Sequence, residues 1–168
     1  MILFPIIISI VILQRLTELV ISKRNEKWLL ANGAVEYGGS HYKYIVLLHT
    51  LFFLSMIFEF YFIKRESEFN VINYFFLVFF LILQTARISV LFSLGKYWNT
   101  KIYRIPNSPL IKTGLYKYLK HPNYAIVICE LFAIPMIFDL YYTAIIFSVL
   151  NGVMLYFRIS EENKVLVN

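Results

Sequence analysis

Apolar residues run from position 2 to 21 with few interruptions, then give way to a polar stretch at 22–43. Two more apolar runs follow at 44–63 and 71–94, and a second polar stretch occupies 95–122. From Tyr124 to Phe157 the chain is again almost continuously apolar, broken by Pro135 and then Asp139. A helix that crosses a bilayer needs roughly 20 mostly apolar residues, and each of the first three runs has that length. The last run is too long for one helix, so it reads as a tight helical hairpin with arms at 123–138 and 140–157. A short first arm is accommodated by local thinning or by packing on neighbours. The pattern predicts an all-α integral membrane protein of about five transmembrane helices, with four spans as the alternative. No Lys or Arg precedes the first run and no small-residue cleavage site follows it, so it reads as a retained helix rather than a signal peptide.

Composition agrees with this reading. Of 168 residues, 60% are hydrophobic and 15% charged, whereas a soluble domain carries about 25% charged residues. Such a chain cannot cover its own surface with polar groups in water. The net charge of +6 is explained by where the basic residues fall. With the N-terminus outside, the inner segments hold Lys23, Arg24, Lys27, Lys43, Lys96, Lys101, Arg104, Lys112, Lys117, Lys120, Arg158 and Lys164, and the outer loops hold Lys64 and Arg65. Cytoplasmic loops are the ones enriched in Lys and Arg, so both polar stretches and the C-terminus are predicted to be cytoplasmic. The charge is then a topology signal and gives no reason to expect nucleic acid as a partner.

Several ionisable or amide side chains interrupt the spans: Gln14, Arg15, Glu18, His49, Glu59, Gln84, Arg87 and Glu130. Such residues face a bundle interior or a cavity. Arg15 and Glu18 are three apart and share a helix face, so they are expected to pair. Packing through interhelical hydrogen bonds is the structural reading of the set, and His49 reads as a packing residue rather than a ligand. Cys129, the single cysteine, reads as a small buried packer. His41, His49 and His121 lack metal-ligand spacing, so no metal is expected. The six glycines form neither a dinucleotide fingerprint nor a P-loop.

The most specific stretch is Gly114-Leu-Tyr-Lys-Tyr-Leu-Lys-His-Pro-Asn-Tyr124, followed by the apolar hairpin and by Arg158-Ile-Ser-Glu-Glu162. This ordered set resembles the isoprenylcysteine carboxyl methyltransferase family and the related phospholipid methyltransferases over about residues 95–166. Arg15-Leu-Thr-Glu-Leu19, Arg24-Asn25, Gly33-Ala-Val-Glu36, Gly38 and His41-Tyr42 resemble a bacterial branch associated with methylating alkylpyrones and other polyketide-derived lipids. The resemblance implies S-adenosyl-L-methionine as methyl donor. It implies cofactor contacts at Ser108, Pro109, Leu110, Ile111, Tyr116, His121, Pro122, Asn123, Tyr124 and Glu162, with Arg158 on the substrate anion. It also implies a division of the single membrane domain, 1–168, into three N-terminal spans with an inner polar loop (1–94) and a cofactor-binding catalytic part (95–168). Lys120 stands where the family most often has Arg.

The residues support such chemistry independently. The residue before a proline avoids helix and Pro is tolerated in a first turn, so a helix starts near Asn123, with its free N–H groups able to bind a carboxylate. Tyr116 and Tyr124 offer aromatic faces for a base or a sulfonium. Glu162 is a charged acceptor for ammonium or ribose hydroxyls. Arg158 lies four residues before it on the same face; a surface ion pair is the plain alternative. The expected acceptor is amphiphilic: a polyketide lipid, a prenylcysteine carboxylate, or a phospholipid amine. A carboxylate or enolate would need only positioning, whereas a phenol or amine would need a base, for which His121 or Glu130 is the candidate. A non-enzymatic transporter subunit or lipid-binding scaffold is the alternative function.

Overall fold

Each apolar run forms a helix in the computed structural model, which describes residues 2–64 and 68–167. Arg65, counted above among the outer basic residues, and the side chain of His41 lie outside the described residues. The helices are α1 (Leu3–Ala31), α2 (Gly39–Phe58), α3 (Val71–Leu94), α4 (Pro122–Met136) and α5 (Tyr141–Val167). Four of them, all but α4, are long and apolar enough to cross a membrane. Helix α4 has 15 residues and rises about 22 Å at ~1.5 Å per residue, short of a hydrocarbon core roughly 30 Å thick. Beyond α4 the chain turns through Ile137, Phe138 and Leu140, all buried, and enters α5. The protein is thus an all-α membrane protein whose last two helices form the expected hairpin.

Three boundaries differ from the hydropathy pattern. Helix α2 starts at Gly39, ahead of its apolar run at 44, while α1 continues past position 21 to Ala31 and α5 continues past Phe157 to Val167. Lys, Arg and Glu are good helix formers, and no Pro or Gly interrupts 22–31 or 158–167. The backbone therefore stays helical where the side chains leave the apolar zone. A second difference is a small antiparallel ribbon, β1 (Val35–Tyr37) with β2 (Ile102–Arg104), pairing Val35 with Arg104 and Tyr37 with Ile102. It joins the two polar stretches directly. Lys101 bonds Glu26 and Glu36 beside it, and the Tyr103 hydroxyl donates to both carboxylates. Burial and these two carboxylates push the Tyr103 hydroxyl pKa well above the ordinary phenol value.

The apolar core fills the end of the bundle that carries the α4–α5 turn. Phe4, Phe52, Met56, Phe138 and Leu140 are buried there, and Phe4 stacks on Phe60 with ring centroids 3.8 Å apart. Glu59 ends α2 in a π-helical turn, and its carboxylate accepts from the Tyr142 and Thr143 N–H groups at 3.1 and 2.7 Å. These belong to the donors a helix start leaves unpaired, so Glu59 caps α5 from another helix. At the opposite end, Asn25 holds the Gly95 and Trp98 carbonyls and Ser22 bonds Thr100, fastening the segment after α3 to α1.

Candidate active site

The break before α4 organises the site. His121 has a non-helical backbone (φ −131°, ψ 63°), Pro122 opens the helix, and the His121 side chain makes no capping hydrogen bond. The antiparallel α5 brings Arg158, Glu162 and Asn163 alongside. The Tyr124 hydroxyl donates to Glu162 Oε2 at 2.5 Å and accepts from Arg158 Nε at 2.8 Å. The Arg158 guanidinium lies over the Tyr124 ring, 5.5 Å from its centroid, and Nη2 donates to the Thr100 carbonyl. The His121 ring stacks on Tyr124, with Nδ1 3.5 Å from Glu162 Oε2 and Nε2 3.2 Å from Asn163 Oδ1. Both imidazole nitrogens therefore face α5.

His121, Tyr124, Arg158 and Glu162, singled out from sequence, are thus one connected cluster. Arg158 and Glu162 do not pair directly: the Tyr124 hydroxyl stands between them, and among the described residues Arg158 makes no ion pair. Pro122 is buried. Asn123 Oδ1 is buried with no hydrogen-bond partner among the described residues. Tyr116, in the turn Gly114–Lys117, packs on Val90, Trp98 and Ile126. Burial, and after it the charge of Glu162, pushes the Tyr116 hydroxyl pKa up, which places Tyr116 within reach of that carboxylate's field. Ser108 bonds Arg104 and the Ile105 carbonyl rather than this cluster, Pro109 and Leu110 are exposed, and Ile111 is half-buried.

Beside the cluster lies a cavity of about 430 Å³ between α1, α2, α4 and α5. Its walls are mostly apolar, with Ile12, Leu16, Val46, Phe53 and Leu54 among them, and Arg158, Tyr124 and Thr100 also line it. Leu16, Val46 and Leu54 on its wall are exposed, so the cavity is open rather than sealed. A charged wall borders it. Arg15 bonds Glu18 at 3.1 Å and Glu130 at 2.6 Å, while Arg87 bonds both Glu18 oxygens and Glu130. Gln84 donates to the second Glu130 oxygen at 2.9 Å. Glu130 is 0% exposed and engaged by three side chains, so it has no free face from which to act as a base. The expected Arg15–Glu18 pair is part of a larger neutral network.

Thr100 and Asn151, on the cavity wall, belong to no motif singled out in the sequence, whereas Tyr42 beside them is part of the His41-Tyr42 element of the family resemblance. For Asn151 a signal existed, because it lies seven residues before Arg158 and hence on the same face of α5. Among the described residues, no three of His, Cys, Asp and Glu group closely enough to hold a metal ion.

Residues 76–168 match the family model for the isoprenylcysteine carboxyl methyltransferase family, a segment that contains most of α3 and the whole His121–Glu162 cluster. Over 163 residues, 97% of this chain and 96% of the relative, the sequence is 42% identical to the uncharacterized protein YpbQ of Bacillus subtilis. An uncharacterized protein of Haemophilus influenzae is 30% identical over 149 residues, 88% of this chain and 86% of the relative. No solved structure matches.

Proposed function

The chain belongs to the isoprenylcysteine carboxyl methyltransferase family, and from that membership we propose that it methylates an oxygen of a lipid-like acceptor with S-adenosyl-L-methionine as donor. The observation that carries this reading is the position of Arg158. It is a cation without an ion-pair partner among the described residues, and it stands where an apolar cavity meets the His121–Tyr124–Glu162 cluster.

The residues on the cluster side fit the donor. Glu162 is a charged acceptor for its ammonium or ribose hydroxyls, and the start of α4 offers the Asn123 N–H for its carboxylate, since Pro122 has none and the Tyr124 and Ala125 N–H groups bond the His121 carbonyl. Asn123 Oδ1 is a buried acceptor that lacks a partner, and Tyr116 offers a ring face. When bound, the cofactor supplies an electrophilic methyl group on a sulfonium. On the cavity side, Arg158 keeps Nη1 for an acceptor oxygen while Nε and Nη2 are held by Tyr124 and Thr100. The tail of an amphiphile would lie among Ile12, Phe53 and Leu54. Positioning then supplies much of the rate, because an anionic oxygen needs little activation. His121, with both nitrogens turned to α5, fits the task of setting Tyr124 and Glu162 better than that of a base.

In this reading residues 95–168 supply the cofactor face and 1–94 complete the acceptor cavity, with the site on the cytoplasmic side of the bacterial cell membrane. Both reported relatives are bacterial, and prenylated proteins ending in cysteine are mainly eukaryotic. A polyketide-derived or other bacterial lipid is therefore the favoured acceptor over a prenylcysteine carboxylate. Calorimetric titration of the detergent-solubilised protein with S-adenosylmethionine tests the reading, followed by incubation with labelled cofactor and a bacterial lipid extract. Binding that is weakened by His121→Ala, with label in one lipid species, is the expected result. Absence of binding up to millimolar cofactor would remove the methyltransferase reading and favour a lipid-binding scaffold.

A further inference from the structure

The cavity has a second polar level, deeper than Arg158, for which methyl transfer has no use. Asn151 lies two turns before Arg158 on the same face of α5, about 10 Å along the axis toward the α4–α5 turn. It is 3% exposed and lines the cavity, and its Nδ2 has no hydrogen-bond partner among the described residues. A buried amide donor without an acceptor is costly, most of all away from water.

Helix α2 brings a complementary group to the same level. The antiparallel register of α2 on α5 is set by the Ser55–Thr143 hydrogen bond, the Phe52–Phe147 ring contact and the approach of Gly38 to Glu161. Carried along both helices, this register puts His49 level with Asn151. His49 also lines the cavity, and its Nδ1 is 2.9 Å from the Ile45 carbonyl. A carbonyl only accepts, so Nδ1 carries the proton and Nε2 of the neutral ring is an open acceptor. The ions nearby, Arg15, Glu18 and Arg87, are matched to one another and to Glu130. What this level offers a ligand is the neutral amide of Asn151, whose Nδ2 lacks a partner among the described residues, and the neutral acceptor of His49.

A hydroxyl satisfies both, since it accepts from Asn151 Nδ2 and donates to His49 Nε2. A charged group would be desolvated there with no counter-charge to spare. We propose that the cavity selects amphiphiles bearing an uncharged hydroxyl on the apolar side of the oxygen held by Arg158, and that Asn151 and His49 are the residues that recognise it. This rests on reading the cavity as the acceptor site. It narrows the acceptor class to oxygenated chains or rings, because a plain fatty or prenyl chain leaves both groups unpaired.

The test uses the full chain in detergent and displacement of a fluorescent fatty acid. The competitors are hexadecanoic acid and its monohydroxy derivatives, with the hydroxyl moved stepwise along the chain. At one position the hydroxyl is expected to tighten binding about 10-fold, the size of one well-placed buried hydrogen bond. Asn151→Leu and His49→Phe should each abolish that gain, so that within each variant the hydroxylated and plain acids bind equally. Ligand-free Asn151→Leu should melt no lower than the parent, because an unpaired buried amide has been replaced by an apolar group of similar size. Equal affinities for all competitors overturn the proposal, as does a preference that survives both substitutions or a lower melting temperature for Asn151→Leu. Cofactor titration of the same samples separates the two readings: retained cofactor binding with no hydroxyl preference defeats this inference alone.

Discussion

At the scale of single residues, the Tyr124 hydroxyl decides how Arg158 and Glu162 act. It donates to one and accepts from the other, so the two charges are coupled without touching and are left with different outer partners. Glu162→Gln is expected to weaken cofactor binding, since a charged acceptor becomes a neutral one. Arg158→Lys is expected to leave cofactor affinity nearly intact, while turnover falls and the KM for the acceptor rises, because lysine keeps the charge and loses the planar fork. Titration and steady-state kinetics on both variants check this; equal loss of cofactor affinity in the two would refute the division. The charged wall allows a second expectation. Arg87→Met leaves Glu18 and Glu130 short of a counter-charge in a buried setting, which costs about 3–5 kcal/mol by analogy with other broken buried pairs. A thermal melt in detergent should show a large drop, and a combined Arg87→Met, Glu130→Gln variant should recover part of it.

At the scale of elements, α5 is held at both ends by groups from elsewhere in the chain. Glu59 caps its start, while Tyr124 and Thr100 hold Arg158 in its last turns. Glu59→Ala is expected to cost about 1–3 kcal/mol, the penalty for leaving buried donors unpaired, with little change in cofactor affinity because the cap lies far from the cluster. A variant that melts like the parent would show that the cap is dispensable. How far the sequence was readable follows from the same physics. Hydropathy reports the solvent around a side chain and not the state of the backbone, so it found all the helices and cut α1 and α5 too short. The ribbon was hidden because Val35–Tyr37 and Ile102–Arg104 are three-residue strands, too brief for alternation to register. The His121, Tyr124, Arg158 and Glu162 cluster was legible because its motif lies on two neighbouring helices. His49 was not, since a lone polar residue within a span looks the same whether it packs or binds, and for Asn151 the seven-residue spacing from Arg158 indicates a shared face but no role. Glu59 lay between the two cases: its burial was foreseeable, but its partner, a helix start more than eighty residues away, was not.

At the scale of the whole molecule, the two polar stretches meet in the ribbon at one end of the bundle, and the apolar core fills the other end. The basic residues concentrate at the ribbon end, so that end is expected to face the cytoplasm. Single cysteines at Glu68 and Lys112 in a Cys129→Ser background test the orientation. A membrane-impermeant reagent applied from outside should label position 68 alone, and labelling of position 112 would invert the molecule. The charged wall has a consequence for biogenesis. Membrane helices enter the bilayer in chain order, and a lone ion at its centre costs about 2.5–3.5 kcal/mol on insertion scales. Helix α1 brings Arg15 and Glu18 together as a neutral pair. Arg87 then arrives with α3 to a bilayer that already holds Glu18, and Glu130 arrives with α4 to one that already holds Arg15 and Arg87. Each newcomer to this wall finds a counter-charge waiting, so the order of residues along the chain doubles as an assembly schedule for these four ions.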